Sequence, residues 1–121
     1  NLKKLGAKSV LHHGADMSKP NEIGDMFAQI KSKHNRVDIL VNNAGIQFVS
    51  PIDSFPDDRW ELIIRINLIS NFYTIKHALP YMKQNGWGRI VNIASAHGLV
   101  ASPFKSAYVS AKHGVLGNFI C

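Results

Sequence analysis

The sequence predicts an α/β domain built on a parallel sheet. Two observations carry this: segments of strand length and segments of helical period alternate along the chain, and the apolar run 37–41 stops at a turn, Asn42-Asn43-Ala44-Gly45. Parallel strands joined by helices cross over with right-handed sense, which leaves few topologies open. The 121 residues, 45% hydrophobic and 18% charged, suit one soluble globular domain with a single core. There is no internal repeat and no low-complexity tract.

Residues 1–5, ending at Gly6, read as the last turn of a helix with its glycine stop. A short strand is expected at 9–14, closing before Asp16-Met17-Ser18. Pro20 then opens a helix to about Lys33, with Ile23, Met26, Phe27 and Ile30 on one face. After the strand 37–41, Gly45 permits a close backbone approach. A long helix is expected over 55–84, started by a capping box between Ser54 and Asp57. Its stripe runs Trp60, Ile63, Ile64, Asn67, Asn71, Ile75, Ala78, Leu79 and Met82, and Pro80 should bend or fray the last turn. The strand 89–95 follows, then a loop through Ser102-Pro103-Phe104 and a helix over 106–120. The count is three strands and three main helices.

Composition closes several classes. The formal charge of +6 comes from basic residues scattered between Lys3 and Lys112, with no stripe of the kind that tracks nucleic acid, so no nucleic-acid partner is expected. No stretch approaches the roughly 20 apolar residues of a membrane span, and the first residues lack the layout of a secretory signal. The reading is a cytoplasmic protein with no membrane partner. Cys121 is the single cysteine, which excludes an intrachain disulfide. The six histidines show no metal-site spacing, and no metal is expected.

Tyr108 and Lys112 are four apart on the last helix, so phenol and ammonium are neighbours on one face. A cation beside a phenol favours the phenolate, which can exchange a proton with an alcohol or carbonyl oxygen. Ser95 stands at a strand end, where parallel sheets commonly meet ligands, though a serine there also serves as a turn or cap residue. Asn67 on an apolar stripe is either a site residue or a core amide bonded to backbone. Asn42 and Asn43 before a glycine are also ordinary turn chemistry.

Together these residues resemble the short-chain dehydrogenase/reductase family. Asn42-Asn43-Ala44-Gly45 matches its motif after a strand, while Asn67, Ser95, Tyr108 and Lys112 match its catalytic tetrad in order and spacing. Asp16 matches its adenine-contacting aspartate. The resemblance covers essentially the whole chain and implies a Rossmann-like doubly wound sheet with NAD as cofactor, bound by Asp16, Asn43, Ala44, Gly45, Tyr108 and Lys112. Gly45-Ile46-Gln47, Gly86-Trp87-Gly88-Arg89 and the run 95–112 are similar to the branch that interconverts D-3-hydroxybutyrate and acetoacetate. By that likeness Gln47, Ser95, His97, Lys105 and Tyr108 would hold a small anionic hydroxy or keto acid. Donors and a cation suit such an anion. Another branch, such as a 3-oxoacyl thioester reductase or a sugar dehydrogenase, stays open.

The resemblance also implies that 1–121 is the central portion of a single Rossmann-like domain, without the family's glycine-rich phosphate turn, its first two strands or its C-terminal strands. In a sheet of order 3-2-1-4-5-6 the strands here would be the third, fourth and fifth, with a gap of two positions and open edges. Two expectations follow. The chain is either part of an enzyme, inactive by itself, or a catalytically inactive self-associating piece. Homo-oligomerisation is expected through the helices 55–84 and 106–120.

Overall fold

The computed structural model describes residues 2–117 and opens on a single 3-10 turn, Leu2–Leu5. Gly6 follows at φ +94°; its amide donates to the Lys3 carbonyl (3.2 Å) and that of Ala7 to the Leu2 carbonyl (3.1 Å). That pair is a Schellman stop, so the glycine at position 6 ends a helical turn as expected.

The sheet differs from expectation in strand number. Among the described residues it has two strands, β1 (Ile39–Asn42) and β2 (Arg89–Asn92), and the segment 9–14 is not a third. A strand exists through its ladder, and no neighbour lies beside 9–14 to pair with its backbone. β1 and β2 are parallel, in the register Ile39↔Arg89, Leu40↔Ile90, Val41↔Val91 and Asn42↔Asn92. Bonds from the Arg89 amide to the Asp38 carbonyl and from the Ile93 amide to the Asn42 carbonyl, each 2.9 Å, extend the ladder by one residue at each end. β2 therefore stops short of the expected 95, because its partner turns away at Asn43.

α1 (Pro20–Lys33) starts with proline in its first turn, where a missing N–H costs nothing, and buries Ile23 and Phe27. These meet Ala78 and Met82 of a later helix, with Leu40 and Ile90 of the sheet packed against them. The strands alternate: Leu40 and Ile90 turn to this core, while Ile39 (59% exposed), Val41 (55%), Val91 (44%) and Ile93 (43%) carry the other face. That face is uncovered among the described residues.

The long helix expected over 55–84 is three pieces. α2 (Asp57–Ile64) begins at an N-cap Pro56; Ser54 belongs to a 3-10 turn, Ile52–Ser54, and the capping box does not form. Asp57 and Asp58 in the first turn complement the helix dipole instead. Arg65–Ile69 then adopt wider π hydrogen bonding, with Asn67 at the centre, and the Ser70 amide still reaches back to Arg65. Ser70 Oγ donates to the Ile66 carbonyl (2.6 Å), a side-chain bond that favours local departure from regular helix. α3 (Ser70–Gln84) continues through Pro80, at a turn where Pro80 and Lys76 are both exposed. It ends on a second Schellman stop at Gly86, φ +65°.

α4 (Ser106–Gly117) packs on α2 and on a 3-10 turn, Ala96–Gly98. The expected continuation over 118–120 lies outside the described residues. A second core joins Phe55, Ile63 and Ala107, flanked by Trp60 and Tyr108. At Gly98 the turn approaches the backbone of α4 closely: a Cβ there would stand 2.9 Å from the Lys112 carbonyl oxygen and 2.7 Å from Leu116 Cδ1. Gly98→Ala must therefore push the turn off α4, and urea unfolding of the whole protein should show about 1–3 kcal/mol of lost stability. An unchanged midpoint would show that the contact gives way freely. Among the described residues no helix is long and apolar enough to cross a membrane.

Candidate active site

Because β1 and β2 run parallel, their carboxyl ends open side by side. Asn42 ties them: its Nδ2 donates to Asn92 Oδ1 (2.8 Å), while Thr74 Oγ1 of α3 donates to Asn42 Oδ1 (2.7 Å). The side chain of Asn42 is thus a strut between strands and helix. Asn43, Ala44 and Gly45 leave the sheet as an exposed loop, with exposed Gln47 beyond them.

Asn67 fixes that loop from the π turn. It is 1% exposed, and both ends of its amide are satisfied by one residue: Oδ1 accepts the Ile46 amide and Nδ2 donates to the Ile46 carbonyl, each at 2.8 Å. Asn67 is thus a core amide bonded to backbone, and that backbone is part of the Asn43–Gln47 loop.

Tyr108 and Lys112 occupy successive turns of α4, with Lys112 Nζ 5.6 Å from the centre of the Tyr108 ring. Lys112 is buried to 5% exposure and Nζ donates to the Ile93 carbonyl, just past the end of β2, at 2.6 Å. Burial holds its pKa below the ordinary lysine range. An ammonium has three protons, and two are left after Ile93 for a further pair of acceptors.

Ser95 caps the Ala96–Gly98 turn by accepting the His97 amide (3.2 Å), so its cap role and its place at the strand end coexist. Its Oγ also faces His97 Nδ1 at 3.3 Å, and His97 Nε2 faces Ser102 Oγ at 2.8 Å. The imidazole stands edge-on to Tyr108, ring centres 5.8 Å apart. Ser95, His97, Tyr108 and Lys112 thus form one chain of contacts. The Ser50 amide donates to the Phe104 carbonyl (2.9 Å), which draws the loop after Gln47 against the residue before Lys105. Phe104 is held there at φ +62°, a strained conformation for a phenylalanine.

Asp16 keeps to its own neighbourhood. Its Oδ1 accepts the amide (2.9 Å) and hydroxyl (2.7 Å) of Ser18, which hold its carboxyl below the usual carboxylate range, with Lys19 3.5 Å away. The sequence did not single out Ser102 or the Ile93 carbonyl. Neither has a signal along the chain: one is a loop hydroxyl without periodicity, the other a backbone atom.

A phenol, a hydroxyl, an imidazole and a buried ammonium at the carboxyl end of parallel strands can exchange a proton with a substrate oxygen and hold a diol beside it. Residues 1–119 match the family model described as short chain dehydrogenase. The chain is 62% identical over 113 residues to a D-beta-hydroxybutyrate dehydrogenase of Rhizobium meliloti (strain 1021), covering 93% of this chain and 44% of that protein. It is 61% identical over 106 residues to one of Cupriavidus necator, covering 88% and 41%. A crystal structure of a metagenomic short-chain oxidoreductase in complex with NADP superposes with a TM-score of 0.90 at 27% identity, covering 97% of this chain and 52% of that one. The chain spans less than half the length of the two curated relatives.

Proposed function

The chain belongs to the short-chain dehydrogenase family, and from that premise we propose that the whole protein interconverts D-3-hydroxybutyrate and acetoacetate with NAD. The observation that carries this reading is the identity of 62% and 61% with two proteins named for that activity. The residues that by resemblance suit a small anionic substrate, Gln47, His97 and Lys105, are all present in the sequence.

Within this reading Tyr108 takes the proton of the substrate hydroxyl, and Ser95 donates to the same oxygen. Lys112 holds the ribose hydroxyls with the two protons that the Ile93 carbonyl leaves unused, which suits a dinucleotide at this edge of the sheet. When bound, the dinucleotide supplies the nicotinamide carbon that accepts or returns the hydride. Asn43, Ala44 and Gly45 form the loop beside it, steadied by Asn67, and Asp16 reaches its adenine end. Gln47, His97 and Lys105 take the carboxylate, and Ser95 the reacting oxygen. The Asn67 region would support a water that relays protons to solvent.

The test is a panel run on the whole protein: D- and L-3-hydroxybutyrate, a 3-hydroxyacyl thioester and a sugar, each with NAD and with NADP, followed by the absorbance of reduced nicotinamide. D-3-hydroxybutyrate with NAD should give the highest kcat/KM. Preference for the thioester or the sugar would move the protein to another branch, and preference for NADP, the cofactor in the superposed structure, would correct the cofactor.

A further inference from the structure

The bonds around Asp16 govern how a carboxylate is held at the adenine end, which deepens the proposed cofactor reading and rests on it. Glu22 stands three residues after Lys19, the N-cap of α1, a position from which a glutamate closes a capping box on the N-cap amide. Here the Lys19 amide donates to the Asp16 carbonyl instead (2.9 Å). Glu22 reaches past it, and its Oε2 accepts the Asp16 amide at 2.8 Å. That bond holds the Glu22 carboxyl below the usual carboxylate range, so it is ionised at neutral pH. Lys19 Nζ lies 3.0 Å from Glu22 Oε1 and 3.5 Å from Asp16 Oδ2, a cation between the two carboxylates. The backbone of Asp16 is thus gripped at its amide and at its carbonyl by the start of α1.

The two oxygens of the Asp16 carboxylate are used differently. Oδ1 accepts both the amide and the hydroxyl of Ser18, at 2.9 and 2.7 Å, which fills its two lone pairs. Oδ2 faces Lys19 at a distance longer than the roughly 2.7–2.9 Å of a close charge-assisted bond, which leaves it capacity to accept. A carboxylate can only accept, and the one N–H donor on the adenine ring of a dinucleotide is its 6-amino group. We infer that Glu22 is a positioning residue of the cofactor site: by holding the Asp16 amide it keeps Oδ2 in place to accept from that amino group, and so makes the protein select adenine over a base with oxygen there. Lys19 lets the two carboxylates stand together.

Fluorescence of the reduced nicotinamide gives, without turnover, the dissociation constants of the whole protein for NADH and for its hypoxanthine counterpart, in which oxygen replaces the 6-amino group. The parent should bind NADH roughly tenfold more tightly or better, the difference that one hydrogen bond to a charged acceptor makes. Glu22→Ala should weaken NADH by about that factor and leave the hypoxanthine dinucleotide close to the parent's value, so that the preference collapses. Glu22→Gln, which keeps an oxygen acceptor, should restore most of it. On an Asp16→Ala background Glu22→Ala should leave the ratio of the two constants unchanged, because Glu22 acts on the base only through that carboxylate. Equal losses for both dinucleotides, or a parental preference in Glu22→Ala, overturn the inference. A parent that binds the two alike, or an Asp16→Ala protein that keeps the preference, overturns instead the adenine contact of Asp16.

Discussion

Tyr108→Phe in the whole protein is expected to lower kcat by about two to four powers of ten, the range that a positioned acid or base contributes. The ring would survive the change. Its packing against Phe55, Ile63 and Ala107 needs no hydroxyl, and its edge contact with His97 is between rings. Stability should therefore hold, and nicotinamide fluorescence should report cofactor binding close to the parent's. Because the lost interaction belongs to the proton transfer, kcat and kcat/KM should fall together. His97 is the competing proton carrier in the cluster. A variant that keeps most of its turnover, with a pH profile that follows an imidazole, would take the acid-base role from Tyr108.

Asn67→Ala should bring the largest loss of stability among the site residues. The amide is all but sealed from solvent and serves both the N–H and the carbonyl of Ile46. Truncation strands two backbone groups and leaves a void at the π turn, together worth about 2–4 kcal/mol in urea unfolding. The Asn43–Gln47 loop loses its anchor in the same step, so cofactor affinity should drop as well. Asn67→Asp separates hydrogen bonding from shape. It is nearly isosteric, but it sets a carboxylate oxygen against the Ile46 carbonyl in a buried site, and it should destabilise at least as much as alanine. A harmless aspartate would mean that Asn67 acts by filling space.

What could be read from the sequence was local. Pro20 with Ile23, Phe27 and Ile30 defines α1 within one stretch of chain, and Gly6 ends its turn by its own φ. Tyr108 and Lys112 meet because helical geometry puts them together whatever lies around. What escaped depends on partners far along the chain. Residues 9–14 have strand character, but a ladder needs a neighbour, and none is alongside. Asn67 finds its partner 21 residues away at Ile46, and the burial of Lys112 follows from its bond to Ile93, 19 residues back. The spacing of Trp60 to Met82 fits a single helix well enough to hide the π turn within it. The loop hydroxyl of Ser102 becomes visible only once His97 stands opposite.

The wide turn at Arg65–Ile69 makes chain length itself part of the design. The turn takes up one residue more than regular helix would, where an extra residue in regular helix would swing everything after it by about 100° relative to α2. Ile63 and the pair Ala78 and Met82 serve different cores, so such a swing could satisfy one only by exposing the other. Substitutions within the turn test its chemistry; closing it to regular helix with no residue removed would dismantle the alignment of the two halves of the molecule.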